Sequence, residues 1–154
     1  MATTAGAAAM LASRSVEHPQ HLPPLMPGTA QGFVYGGVRN ALRLEAFAAF
    51  VTATAVYGWN GFPWPPFALL FLAPDLSMLA YFAGPRFGAL AYNLAHSAAL
   101  ALALTLAGFF CGLHMVAAAG LIWIAHIGID RALGYGLKYS TSFGDTHLGR
   151  IGRG

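Results

Sequence analysis

Five side chains able to carry a proton or ligate a metal ion stand within otherwise apolar runs: Glu45, Asp75, His96, His126 and Asp130. A charge at the centre of a membrane-spanning helix costs about 2.5–3.5 kcal/mol on insertion scales, so each needs a reason to be there. His126 and Asp130 are four residues apart and share one helix face. That spacing serves a shared metal ion or a histidine–carboxylate pair. Asn93 and His96 also share a face, and Ala89, Ala99 and Ala103 beside them offer a stripe of small residues for a second helix. Pro74 lacks an amide donor and frees a carbonyl next to Asp75. Broken backbone at membrane depth is tolerated where it lines a polar cavity. Oxygen and imidazole donors suit a divalent ion such as Zn, Mn or Fe. Such an ion lowers the pKa of a bound water, with Glu45 or Asp130 as general base. Other chemistries fit the same residues: a hydrogen-bonded network that only orients helices, a haem iron held by two histidines, or a path for protons or ions.

The elements that position these groups follow from composition. Of 154 residues 57% are apolar and 8% charged, against about 25% charged in soluble domains. So few charges cannot clothe a soluble domain of this size, and a lipid-facing surface removes the difficulty. Four apolar runs are expected as spans, at about 44–59, 64–83, 87–109 and 113–133. Trp59 and Trp64 flank the first connection, as in an interfacial aromatic belt. The fold expected is therefore all-α, a four-helix transmembrane bundle. Residues 1–38, rich in Ala, Pro and Gly, form a flexible tail, and 39–154 form the membrane domain with a short polar C-terminal tail.

With four spans, all eight basic residues fall on one face: Arg14, Arg39 and Arg43, then Arg86, then Arg131, Lys138, Arg150 and Arg153. The positive-inside rule then places both termini in the cytoplasm. At about 1.5 Å per residue, Asp75, His96 and His126 lie roughly 12, 14 and 10 Å from that face. Glu45 lies at its edge, and the other half of the spans holds little that is polar beyond threonines.

Several functions are excluded or set aside. The net charge of +3 is small and dispersed, so nucleic acid is not a partner; the lipid bilayer is. Cys111 is the only cysteine, which leaves no intrachain disulfide or thiolate cluster, and it reads as a small apolar residue near a helix end. The first residues lack the basic start of a signal peptide. His18, His21 and His114 read as loop residues. The stretch Ser140–Gly152 can fold back over the cytoplasmic mouth of the cluster and bring His147 with it, and Lys138, Arg150 and Arg153 can meet anionic headgroups.

The strings Ala73-Pro74-Asp75-Leu76-Ser77-Met78-Leu79, Gly84-Pro85, Tyr92-Asn93-Leu94-Ala95-His96, Ile122 through Arg131, Gly134 through Tyr139 and Thr146-His147-Leu148-Gly149 closely resemble a bacterial membrane-protein family catalogued as domain of unknown function 4260. The resemblance spans about Arg43 to Gly152 and implies a small multi-span protein of the bacterial inner membrane. It carries no reaction. A fainter likeness is to the membrane-bound metal-dependent hydrolases, which show Pro-Asp, then His-Ser, then His-x-x-x-Asp. Here these are Pro74-Asp75, His96-Ser97 and His126 with Asp130. The chain departs from that pattern at Ser77, where a second acid is expected, and lacks the Arg-Gly before His96. The function expected is a metal-assisted hydrolase with Asp75, His96, His126 and Asp130 as ligands, open to the cytoplasmic side. The alternative is a non-enzymatic accessory or transport component with a structural polar network.

Overall fold

The computed structural model describes residues 32–34 and 36–151. Residues 1–31 of the expected flexible tail, with His18 and His21, and the basic Arg14 and Arg153 lie outside the described residues. Among the described residues the chain is all-α but for one small hairpin, and it forms four helical rods. They are α1 (Gly36–Trp59); α2 (Trp64–Leu70) continued by a 3-10 helix (Ala73–Ala83); α3 (Pro85–Ala95) continued by α4 (Ala98–Phe110); and α5 (His114–Leu133). Trp64–Ala83, Pro85–Phe110 and His114–Leu133 are each long and apolar enough to cross a membrane. Arg43 and Glu45 lower the mean hydropathy of α1, which is not among the three.

The first helix starts at Gly36 rather than near Leu44. Its polar opening turns are held in the fold, because Arg43 Nε donates to the Ala132 carbonyl at 2.7 Å. The third rod is not the continuous helix expected. It breaks at His96, where φ is −108° and ψ 21°, and restarts after Ser97. The break turns the face that follows: Ala101, Thr105 and Gly108 are buried, while Ala99 and Ala103 are exposed and form no packing stripe.

Close backbone approach holds these rods together, as small residues allow between apolar helices. Glycines on and against α5 supply it. A Cβ on Gly128 would lie 2.7 Å from the Phe50 amide nitrogen and 2.8 Å from the Ala46 carbonyl oxygen of α1. One on Gly120 would meet Thr105 Oγ1 of α4 at 2.3 Å, and one on Gly108 would meet the Ala117 nitrogen at 2.3 Å. Thus α1 and α4 both lie against α5. The core between α1 and α5 is Ala53, Tyr57, Ala118, Leu121, Ile122 and Ala125. Tyr57 donates its hydroxyl to the Pro63 carbonyl at 2.6 Å, ringed by Phe62, Trp64 and Phe67. The second rod packs on α3 through Tyr81, whose ring fills the space at Gly88.

The C-terminal segment is a packed lobe rather than a loose tail. β1 (Asp145–Thr146) pairs antiparallel with β2 (Gly149–Arg150), and Lys138 bridges to Thr146. Lys138, Thr146 and Leu148 are buried.

Gly128→Val forces branched carbon into the α1–α5 contact and is expected to cost about 1–3 kcal/mol, as overpacking does. Gly37→Ala meets nothing within 4 Å and should be neutral. Thermal unfolding in detergent checks both; equal midpoints for the two variants would refute the packing described.

Candidate metal centre

Three elements deliver four polar side chains to one point. On α5, Trp123, His126 and Asp130 follow a three-then-four spacing and form one stripe facing the break in the third rod. His96 sits at that break, and Asp75 stands in the first turn of the 3-10 helix.

Both breaks come with an accounting of their backbone groups. At the first, Pro74 has no N–H, and the Asp75 amide donates to Leu72 at 3.1 Å rather than to Phe71. The Phe71 carbonyl therefore has no donor from its own rod, and it stands as an acceptor beside His126. His126 Nδ1 itself is buried without a hydrogen bond of sound geometry among the described residues. At the second break, the Ala95 carbonyl accepts the Trp123 indole N–H, and the His96 carbonyl accepts Arg131 Nη2 at 3.2 Å. One face of α5 thus satisfies the backbone that the interruption releases.

His96 Nε2 lies 3.1 Å from His126 Nε2, 3.6 Å from Asp75 Oδ1 and 3.4 Å from Asp130 Oδ2. His126 Nε2 lies 3.5 Å from Asp75 Oδ1 and 3.8 Å from Asp130 Oδ2. The last separation, between the two carboxylates, also closes within 4.8 Å. Four donors about 2.0–2.1 Å from one zinc ion at tetrahedral angles stand about 3.3 Å apart. The observed edges surround that value, so the group can hold a divalent ion.

The side chains behind the donors fix their orientation. His96 Nδ1 donates to the Tyr92 carbonyl at 2.9 Å, which makes Nε2 the lone-pair nitrogen of the neutral ring. The Tyr92 ring stacks on His96 at 3.7 Å and 9°, and its hydroxyl donates to Asp130 Oδ2 at 3.1 Å. The histidines are buried, while the Asp75 and Asp130 side chains are 29% and 16% exposed. Access is therefore from the carboxylate side, where a cavity of about 410 Å³ is lined by Asp75, Met78, Tyr92, Asp130, Tyr135, Lys138 and Phe143.

Asn93 clamps the lobe over this cavity. Its amide donates to the Lys138 carbonyl at 2.9 Å, and its Oδ1 accepts the Lys138 N–H at 2.7 Å. Lys138 Nζ lies over the rings of Phe143 at 4.1 Å, Tyr92 at 5.0 Å and Tyr135 at 5.9 Å. Burial pushes its ammonium down to about 8, against the favourable charge of Asp130.

The four expected ligands are thus brought together, whereas Glu45 is not. It is exposed on α1 and lines a separate cavity of about 230 Å³ with Arg131 and His147. His147 folds back over this end of the bundle but stays outside the four. Its Nδ1 accepts the Leu137 N–H at 2.9 Å, and burial, then the nearby Arg131, lowers its pKa. Sequence reasoning passed over Tyr92 as part of the site; its spacing of four from His96 was the available signal.

Trp123→Phe keeps an aromatic ring and removes the indole N–H, leaving the half-buried Ala95 carbonyl without its donor. An unsatisfied buried group costs about 1–3 kcal/mol, to be read as a fall in the thermal midpoint. An unchanged midpoint would deny that bond any role. Lys138 titrates in the folded chain near 8, below its ordinary 10.5. The unfolded chain therefore holds the extra proton between these values, and stability should rise with pH across that window, with nothing gained below it. Lys138→Met should flatten the rise.

No curated protein and no solved structure is significantly similar to the chain. The likeness to membrane-bound metal-dependent hydrolases finds no support there or in the family comparison. One family, described as "Domain of unknown function (DUF4260)", matches residues 39–151, a stretch that includes all four converging side chains and the lobe above them. The chain belongs to that family.

Proposed function

We propose that the protein is a metal-assisted hydrolase of the bacterial inner membrane, with four spans, both termini in the cytoplasm and its site open to that side. The observation that carries this is that five of the six mutual donor distances among Asp75, His96, His126 and Asp130 run from 3.1 to 3.8 Å, close to the edges of a tetrahedral ion site. As the fourth span, α1 lies antiparallel along α5, from Gly128 beside Ala46 and Phe50 to Ala118 beside Tyr57. Orientation is supported by the basic residues. Arg39, Arg43 and Arg150 line one cavity, Arg43 reaches the end of α5, and Arg86 shares a groove with Ser140. All of these gather at the end that carries the C-terminal lobe.

Asp75, His96, His126 and Asp130 would hold the ion, which would supply Lewis-acid activation of water and substrate. The chain does the rest. His96 presents the Nε2 lone pair that its Nδ1 bond leaves free, and Tyr92 holds Asp130 in place. Asp75 and Asp130 form the exposed side of the site, so water and substrate arrive across them from the 410 Å³ cavity. Asp130 keeps its second oxygen to accept a proton from the attacking water. Glu45, on another cavity, takes no part in this step.

A second reading rests on the number of donors. Four protein ligands make a closed set, as in structural zinc sites, and the His96–His126 contact at 3.1 Å is also a hydrogen bond. In that reading the cluster fastens the helices and catalyses nothing.

Metal analysis of the detergent-purified protein should find about one divalent ion per chain. A His126→Ala, Asp130→Ala variant should lose it. Equal, near-zero content in both would end the hydrolase reading. Full occupancy with no hydrolysis across ester, amide and phosphoester substrates would favour the structural one.

A further inference from the structure

Lys138 is 4% exposed, which is unusual for an ammonium. A buried cation ordinarily has a carboxylate or another anion against it. Among the described residues none forms an ion pair with Lys138, and Asp130 acts on it only through space. What surrounds Nζ instead is aromatic: the faces of Phe143, Tyr92 and Tyr135. These hold the charge in place without neutralising it. The backbone of Lys138 is equally fixed, by two hydrogen bonds to Asn93. Its side chain lines the cavity whose other wall is Asp75 and Asp130. A pre-positioned, unneutralised cation beside a site for a divalent ion is the pattern that receives an anion.

We propose that the cavity of about 410 Å³ binds the phosphate group of the substrate, with Lys138 Nζ taking one phosphoryl oxygen and the Asp75/His96/His126/Asp130 site facing another. Phosphate is favoured over a carboxylate because its oxygens point tetrahedrally and can serve two cations set apart in one cavity. The volume lies within the usual range of small-ligand pockets, about 300–1,000 Å³, and suits a headgroup rather than a whole lipid. Met78, on the rod that exposes Leu76, Leu79 and Phe82 outward, gives the same cavity an apolar edge together with Phe143 of the lobe. The phosphate can therefore arrive on a lipid or free in water. The inference rests on the hydrolase reading above for the role of the ion, but the anion site itself does not need that reading.

The test uses the full-length protein in a non-ionic detergent, with its metal content measured first. Three probes are titrated: phosphatidic acid in mixed micelles, diacylglycerol in the same micelles, and inorganic phosphate. Binding is followed by equilibrium dialysis for inorganic phosphate and by tryptophan fluorescence for the lipids. At least one phosphate-bearing probe should bind and diacylglycerol should not. Lys138→Met should weaken that binding at least tenfold at unchanged metal content, and Lys138→Arg should restore most of it. Binding of phosphatidic acid alone identifies a lipid phosphate, and binding of inorganic phosphate identifies a soluble one; either satisfies the proposal. Lack of phosphate binding, or equal affinity in wild type and Lys138→Met, overturns it. Metal-free protein that still binds phosphate through Lys138 would remove the hydrolase reading and leave the anion site standing. Should Lys138→Met fail to fold, the Lys138→Arg variant and a Tyr135→Leu variant, which removes one ring, decide by the same titration. Retained binding in the first with weakened binding in the second supports the proposal, and unchanged binding in Tyr135→Leu refutes it.

Discussion

The four donor atoms meet where two of the rods are interrupted, and the structure depends on satisfying the backbone there. Asp75 and His96 stand beside these interruptions, at Pro74 and at His96–Ser97. Each interruption releases carbonyls into surroundings that cannot solvate them. The chain answers at the second break with Trp123 and Arg131, and α5 therefore serves two purposes along nearly one face. It carries His126 and Asp130 as donors and it caps the backbone that frees His96. Moving α5 by a fraction of a turn would disturb ligands and caps together.

That coupling explains why α5 is the most deeply embedded of the rods. Its buried residues are mostly Ala and Gly, so α1 and α4 approach its backbone rather than its side chains. Contacts of this kind tolerate little adjustment, because no flexible side chain stands between the rods to absorb a shift. The register of α5 is thereby set on two sides, at Gly128 by α1 and at Gly120 by α4. The third side is then free to carry the polar stripe.

Much of this was legible in the sequence. The four apolar runs, the four converging side chains and their common depth follow from hydropathy and from charges that have no business in lipid. The break at His96 was not legible. Nothing in Tyr92-Asn93-Leu94-Ala95-His96-Ser97 forbids a helix, and the interruption is stabilised by Trp123 and Arg131 from a distant part of the chain. The wrong stripe of alanines followed from the same blindness: a helical face cannot be carried across a break that local propensity does not announce. Glu45 was misplaced from the cluster for another reason. Depth says how far a residue lies along a rod but not which side of the neighbouring rod it meets, and α1 meets α5 on the face away from Asp130. The lobe was read only as a short polar tail able to fold back, because its glycines are poor helix formers. One of them, Gly136, is where His147 comes against the backbone, and packing of that kind depends on partners far along the chain.

With both carboxylates ionised and both imidazoles neutral, the cluster would carry a net charge of −2, and Tyr92 offers Asp130 one hydrogen bond against it. Placing such a group among apolar helices costs several kcal/mol per unpaired ion. Two protons on the imidazoles would cancel that charge as histidine–aspartate ion pairs, and one divalent ion would cancel it while giving all four donors the same partner. Further positive charge stands beside the four donors, because Lys138 lines the same cavity as Asp75 and Asp130, buried and held over aromatic rings.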